Sequence, residues 1–331
     1  MGAGSRQTHA ASLPSDRFYC LLDELPLHLV PQGNFEFRDW RKLAERQLVF
    51  SARCSVLPAG QVPEELQSRP DLLRGFHLES TIAWVLDPVM KSLWPFWLGP
   101  RLEAVVSGMC AGDRVPDSIA GADRAVLAAA GIFELQGETE QPQAERKRPA
   151  QQATQQFCER GYFPLRNLIH PFHIAALRRY YRQAIRAGTI RLGDEQSSRR
   201  YVAHNDGVAQ FFHYQIASAV ASVVGEAIKP SYVYFASYLS GAELKKHIDR
   251  EQCEFSLTLC LDFSPEPQLA TSWPIQLDSP KGTVTVYQAL GDGLVYRGTK
   301  VPHYRSPLAT GHTSTSIFFH YVPADFEGLL E

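Results

Sequence analysis

Three side chains in the second half of the chain have the types and spacing to do chemistry. In SYVYFASYLSGAELKKHIDR, residues 231–250, a β-branched and aromatic run meets a turn at Ser240-Gly241 and then His247-Ile248-Asp249. On a strand, residues i and i+2 share a face, so His247 and Asp249 present an imidazole and a carboxylate side by side. A third ligand, His303, stands 54 positions after Asp249 in LVYRGTKVPHYRSPL. Two histidines and one carboxylate on one face of a metal leave its other positions open, a donor set suited to non-haem Fe(II) that binds an organic cosubstrate and O2 together. An H-x-D pair with a distant His is a frequent chance pattern. The plain alternative makes His303 a surface-turn residue after Pro302 and Asp249 a cap or turn residue. Zinc on the same ligands would need a fourth for a closed structural site, and no Cys or His stands at a matching interval.

The setting of these residues is what gives them weight. EFSLTLCLDF follows the doublet, VTVYQALGDGLVYRG precedes His303, and STSIFFHYVP closes the set. Short strands broken by Gly, Pro and Asp predict an all-β barrel or sandwich. An early strand can then bring His247 and Asp249 to meet His303 from a late one. Ahead of these strands, Ile174, Leu177, Tyr181 and Ile185 recur at helical spacing, with Gly188 as a fitting stop. Val208, Phe212, Ile216, Val220, Val223 and Ala227 form one stripe and predict a second helix from Gly207 to about Ala227. Between them IRLGDEQSSRRYVAHND is polar and loop-like; Arg199, Arg200 and His204 there are candidates to meet a substrate carboxylate, or are simply solvated.

Residues 158–323 resemble the 2-oxoglutarate/Fe(II)-dependent dioxygenases, in the branch close to prolyl hydroxylases. The resemblance rests on Tyr238-x-x-Gly241, His247-x-Asp249, Gly291-Asp292, Arg297-Gly298, His303-x-Arg305 and the closing FFHYV. It covers about half of the chain, and its motifs are specific as a set. It implies an α+β protein whose C-terminal domain is a double-stranded β-helix (jelly-roll) buttressed by helices. It implies Fe(II), 2-oxoglutarate and O2, with ascorbate as a supporting reductant. The reaction implied is hydroxylation of an amino acid, a peptide or protein side chain, or a small natural product, with succinate and CO2 as coproducts. Related halogenases vacate the carboxylate position for chloride; the retained Asp249 favours hydroxylation. Two rivals stay open: a catalytically silent metal-binding barrel acting as a sensor or binding protein, and a cupin-like oxygenase that needs no 2-oxoglutarate.

The cosubstrate's far carboxylate requires a cation and hydrogen bonds if it is buried. The resembling family commonly places an Arg or Lys about nine to eleven residues after the second His. Here that interval holds His312, Thr313 and Ser314 instead. Arg305, two residues after His303, would point into the same cavity on a continuing strand. It is the preferred anchor, with Tyr238 and Ser316 as neutral donors. His312 sits at the customary interval but would need protonation, and Arg297 is the next cation to consider.

The rest of the sequence sets bounds. The 331 residues have room for two domains, and 44% hydrophobic with 21% charged residues describes a soluble globular chain. A net charge of −2 and a pI near 6.6 argue against nucleic acid as a partner. Six cysteines without C-x-x-C spacing read as free thiols in a reducing cytoplasm, and Cys253 and Cys260 as small buried hydrophobes. Residues 1–15 read as disordered, without a signal peptide, and Arg6 departs from a myristoylation site. TIAWVLDPVMKSLWPFWLG is broken by Asp87, Lys91 and two prolines and is no membrane span. Residues 16–135 read as a mixed, mainly helical accessory domain, with PEELQSRPDLLRGF, STIAWVLDPVMKSLW and DRAVLAAAGIF as helices. FYCLLDELPLHLV and LVFSARCSVL read as extended, and Trp84, Trp94, Phe96 and Trp97 as core rather than as an exposed patch. Residues 136–157, nearly devoid of apolar side chains and carrying Arg146, Lys147 and Arg148, read as a flexible linker before a dioxygenase domain over 158–331.

Overall fold

Two antiparallel sheets lie face to face in the C-terminal half, and their strands follow from the alternation in the sequence. The computed structural model describes residues 16–31, 42, 45–137, 143–166 and 168–331, without the side chains of 143–149. The expectation of disorder over 1–15 lies outside these residues, as do 138–142 of the expected linker and the charges of Arg146, Lys147 and Arg148.

The larger sheet holds seven strands among the described residues: β6 (Tyr162–Leu165), β7 (Arg191–Leu192), β8 (Arg200–His204), β9 (Ile228–Tyr238), β11 (Phe255–Ser264), β14 (Gly293–Arg297) and β16 (Thr313–Pro323). Their order is β6-β14-β11-β16-β9-β8-β7. The smaller sheet, ordered β10-β15-β12-β13, is built from β10 (Leu244–His247), β12 (Ile275–Ser279), β13 (Gly282–Val286) and β15 (His303–Arg305). Every pairing in both sheets is antiparallel. Consecutive strands alternate between the sheets from β9 to β12 and again at β14, β15 and β16, which is the jelly-roll arrangement.

Strand parity gives each sheet face its character. On β16, Ile317, Phe319 and Tyr321 are fully buried against the helices, while Phe318 and His320 line the space between the sheets. The helices Pro171–Arg186 and Gly207–Gln215 cover the outer face. The first starts with Pro171 behind a His170 cap and stops where Gly188 takes φ 73°. The second stripe does not run unbroken to Ala227. It divides into Gly207–Gln215 and Ala217–Val224, because the Gln215 carbonyl is taken by the Ser92 hydroxyl at 2.5 Å and its side-chain oxygen by the Leu93 amide at 2.6 Å.

The N-terminal part contains more sheet than its sequence suggests. STIAWVLDPVMKSLW, expected as a helix, is a hairpin of β3 (Ile82–Asp87) and β4 (Ser92–Trp97), joined to β2 (Cys54–Leu57). A long apolar run does not distinguish a buried helix from a buried strand, and β-branched and aromatic residues decide for the strand. β1 (Leu48–Phe50) pairs with β5 (Phe133–Leu135). The expected helix in DRAVLAAAGIF is present as Gly121–Ala129, and PEELQSRPDLLRGF gives two short turns, Glu64–Gln67 and Pro70–Leu73. FYCLLDELPLHLV, expected extended, contains single 3-10 turns at Leu22–Glu24 and Leu27–Leu29.

Trp84, Trp94, Phe96 and Trp97 are buried, and what they cover is the chain's own helices. Trp94 lies 6.0 Å from Phe212 and Trp84 6.4 Å from Phe211 between ring centroids, and Phe96 lies 4.6 Å from His173. One apolar core runs without interruption from Phe18 to Tyr321. The stretch expected as a linker also differs: Gln143–Arg160 is a helix, with Ala153 and Phe157 buried in that same core. Its Gln, Ala, Glu, Arg and Lys are strong helix formers, and two apolar positions four apart suffice to dock its last turns.

Candidate active site

The open end of the jelly-roll interior holds the predicted ligands. β10 and β15 pair with His247 opposite His303, and their ring centroids lie 4.3 Å apart. Asp249 follows β10, held by its amide to the Gly298 carbonyl at 2.9 Å. Its Oδ1 lies 3.6 Å from His247 Nε2 and 3.5 Å from His303 Nε2. An ion bound at ~2.0–2.2 Å to each atom needs ligand atoms about 3–4 Å apart, so the three fit one metal. Asp249, Cys253 and His320 bring a second set of three ligand atoms within 4.8 Å of one another.

The surroundings fix the ligand atoms. His247 Nδ1 lies 2.7 Å from the Lys245 carbonyl and His303 Nδ1 3.1 Å from the Val301 carbonyl. A carbonyl only accepts, so each Nδ1 carries the proton and each Nε2 keeps its lone pair for a metal. Asp249 Oδ2 accepts from the Ser256 hydroxyl at 2.7 Å, leaving Oδ1 to the histidines. Burial would raise the Asp249 pKa, but the His247 and His303 imidazoles, each able to take a second proton on Nε2 when no metal is held there, prevail and keep the carboxyl far below its usual range. Hydrogen bonding to Asp249 raises the His247 pKa in turn. Gly298 makes room for this packing. A Cβ there would lie 2.5 Å from Asp249 Oδ2, 2.6 Å from Ser256 Oγ and 2.3 Å from the Cys253 carbonyl, so only glycine allows the approach.

A cavity of about 940 Å³ opens over these ligands. Tyr232, Tyr234, Tyr238, Tyr296 and Phe318 make its aromatic walls, and Arg191, Arg200 and Arg250 stand among its polar residues. His204 lines it too, stacked 5.0 Å from Tyr232. Arg200 is buried and pairs with Asp194 at 2.5 Å, leaving Nη1 toward the Tyr238 hydroxyl at 3.4 Å. Arg199, expected beside it, precedes β8, is absent from the cavity lining and donates to the Ser240 carbonyl at 3.3 Å.

Beneath the cavity lies Arg305, 6% exposed and on the same strand face as His303. Its guanidinium donates to the Trp273 carbonyl at 2.5 Å and to Gln288 Oε1 at 3.2 Å, with Cζ 4.8 Å from the Trp273 ring. Among the described residues no carboxylate pairs with it, and burial lowers its pKa. Thr258 Oγ1, from the inward face of β11, is buried with no partner. Ser316 and Tyr238 are buried on the inward faces of β16 and β9. A buried cation without a carboxylate partner, and a buried hydroxyl without any, fit the far carboxylate of an oxodiacid.

His312 lies outside the cavity lining, its Nδ1 on the Thr310 carbonyl at 3.1 Å and its ring 5.7 Å from Phe263. The customary interval therefore falls on the entry to β16, with His312 just before the strand and Thr313 and Ser314 as its first residues. Arg297 pairs with Glu254 at 3.3 Å and covers Phe157, away from the interior. Cys260 is buried in the interior wall, and Cys253 lines the cavity with Sγ 3.0 Å from the Tyr232 hydroxyl. Burial pushes both thiols up to about 12. The cysteines are all unpaired. Ser256, His320 and Thr258 were not singled out by the sequence, although each is a polar residue at alternate spacing in an apolar strand.

No family model matches the chain, and no curated protein matches it. Among solved structures it is similar to the α-ketoglutarate-dependent epimerase SnoN from nogalamycin biosynthesis, at 13% identity and TM-score 0.44, over 54% of this chain and 84% of that one. A Pseudomonas putida prolyl-4-hydroxylase matches at 16% identity and TM-score 0.44, over 53% of this chain and 98% of that one. HygX from Streptomyces hygroscopicus, with nickel, 2-oxoglutarate and hygromycin B bound, matches at 12% identity and TM-score 0.43, over 53% and 88%. At these values the side chains of this protein, rather than its likenesses, have to decide what the site does.

Proposed function

We propose that the protein is an Fe(II)- and 2-oxoglutarate-dependent oxygenase, hydroxylating an unactivated C–H bond of an amino acid, a peptide or protein side chain, or a small natural product. The observation that carries this is the meeting of His247 Nε2, His303 Nε2 and Asp249 Oδ1 on one side of an open cavity, each imidazole turned by a backbone carbonyl. Bound Fe(II), 2-oxoglutarate and O2 together supply an oxidant for C–H bonds, with succinate and CO2 as coproducts. The two histidines and Asp249 would hold the metal, with the cavity open beside them. Arg305 would neutralise the far carboxylate, with Tyr238 and Ser316 of the inward strand faces as neutral donors. Tyr232, Tyr234 and Phe318 offer apolar faces for substrate and keep water from the reacting side. Arg200 and His204 stand where a polar substrate group would lie.

The test is 2-oxoglutarate turnover. Fe(II)-loaded protein is expected to form succinate from 2-oxoglutarate, and Asp249→Ala to form none. A search for a one-oxygen mass gain across candidate substrates then identifies what is hydroxylated. One observation favours a second reading, a metal-binding barrel without cosubstrate turnover: Arg305 is outside the cavity lining and its guanidinium already serves Trp273 and Gln288. Absence of succinate from metal-loaded protein would decide for it.

A further inference from the structure

The second metal-competent group, Asp249 with Cys253 and His320, is better explained by what lies between its members. Ser256 Oγ sits 2.7 Å from Asp249 Oδ2 and 2.9 Å from His320 Nδ1. A serine hydroxyl has one proton, and an ionised carboxylate can only accept. The proton therefore goes to Asp249, and Ser256 Oγ accepts from His320 Nδ1–H. This orders a chain of donors, His320 to Ser256 to Asp249, that ends on the carboxylate oxygen not facing the histidines. His320 is buried and carries its ring 4.5 Å from Tyr232.

We infer that Ser256 and His320 are positioning residues that hold Asp249 as a one-oxygen ligand, with Oδ1 on the metal and Oδ2 tied back into β11. The inference rests on the metal-site assignment above. A carboxylate with Oδ2 free can turn and grip an ion with both oxygens, occupying a position that cosubstrate and O2 need. Ser256 prevents that turn from below, and the bare backbone of Gly298 leaves the space in which the Ser256–Asp249 contact forms. His320 matters one step further back: as a donor to Ser256 Oγ it does not compete for the serine proton, which goes to the carboxylate at 2.7 Å rather than to the Cys253 carbonyl at 3.4 Å. Outer partners of metal ligands typically contribute about 10–100-fold in metal affinity.

Co(II) alone is the probe, titrated into the full chain prepared without metal, with wild-type, Asp249→Ala, Ser256→Ala, Ser256→Thr and His320→Phe proteins. Wild-type protein is expected to bind one Co(II). Ser256→Ala should bind it about 10–100-fold more weakly and with a weaker visible absorption per bound ion, since two-oxygen ligation raises the coordination number. Ser256→Thr, which restores the hydroxyl, should recover both affinity and spectrum, a rescue that a packing defect would not show. His320→Phe keeps the ring and should shift both readouts in the same direction by about tenfold or less; it carries the test if Ser256→Ala does not fold. Equal Co(II) affinity and spectra for wild type, Ser256→Ala and His320→Phe, with Asp249→Ala losing the ion, overturn the inference alone. Equal binding by wild type and Asp249→Ala overturns the ligand assignment and the inference together.

Discussion

The two faces of the large sheet use histidine in opposite ways. On the outer face, His173 and His213 are fully enclosed among aromatic rings, each with Nε2 on one backbone carbonyl, of Pro95 and of His320 respectively. Burial drives both pKa values down to about 3 and that of neighbouring His170 to about 4. On the inner side, His247 and His303 have a carbonyl on Nδ1 and a carboxylate before Nε2. The residue type is shared; the second nitrogen decides the role. A histidine with one backbone bond and no acid near it fills a core, whereas one whose remaining nitrogen faces a carboxylate across a cavity can hold a metal.

The largest effect tests the inner side. His303→Ala or Asp249→Ala should abolish turnover and metal binding while the circular dichroism spectrum stays that of the parent; full activity in His303→Ala would end the ligand assignment. Next comes the floor of the cavity. Arg305→Ala leaves a buried carboxylate without its cation, a loss of ~3–5 kcal/mol, or about two to four decades of 2-oxoglutarate affinity. Calorimetric titration should show that loss with metal binding nearly unchanged, and a larger loss in Arg200→Ala would move the anchor to Arg200.

The outer face is tested by acid. The folded-state pKa values of His170, His173 and His213 lie below the unfolded value of about 6.5. Between those values the unfolded chain binds more protons, so their contribution is full above about pH 6.5 and is lost as pH falls toward 4 and 3. Urea unfolding at pH 7, 6, 5 and 4 should give steadily lower stability, and a flat profile would mean these rings are not held neutral. The smallest effect is expected at His312, where replacement by Ala removes no contact to the cavity. Its effect on 2-oxoglutarate affinity should stay below about tenfold, the ~0.5–1.5 kcal/mol of one hydrogen bond.

Strand parity made the inner side legible. The i, i+2 rule put Arg305 on the face of His303 within β15, and it anticipated His247 beside Asp249 although Asp249 lies past the end of β10 and is held there by the Gly298 carbonyl. The same rule, applied to β11 and β16, would have marked Ser256, Thr258 and His320, whose polarity interrupts apolar strands only on alternate positions. What stayed hidden depended on packing. Trp84 through Trp97 has no period that separates helix from strand, and its hairpin forms because Phe211, Phe212 and His173 supply a surface to cover. The helix Gln143–Arg160 is masked by its own composition: Ala153 and Phe157 are too few to register as a stripe, yet among its described side chains they reach the core.

The continuous core has a consequence for how the protein can be handled and inherited. A fragment beginning near 158 would keep all three ligands but would bare Phe172, Phe211 and Phe212 on the outside of its helices, and would lose the acceptors of His173 at Pro95 and of Arg178 at Leu29. Such a surface invites association between copies in place of the missing layer. The N-terminal layer thus covers apolar helix faces that would otherwise be bare, and the smallest well-behaved fragment obtainable from this sequence is expected to retain it.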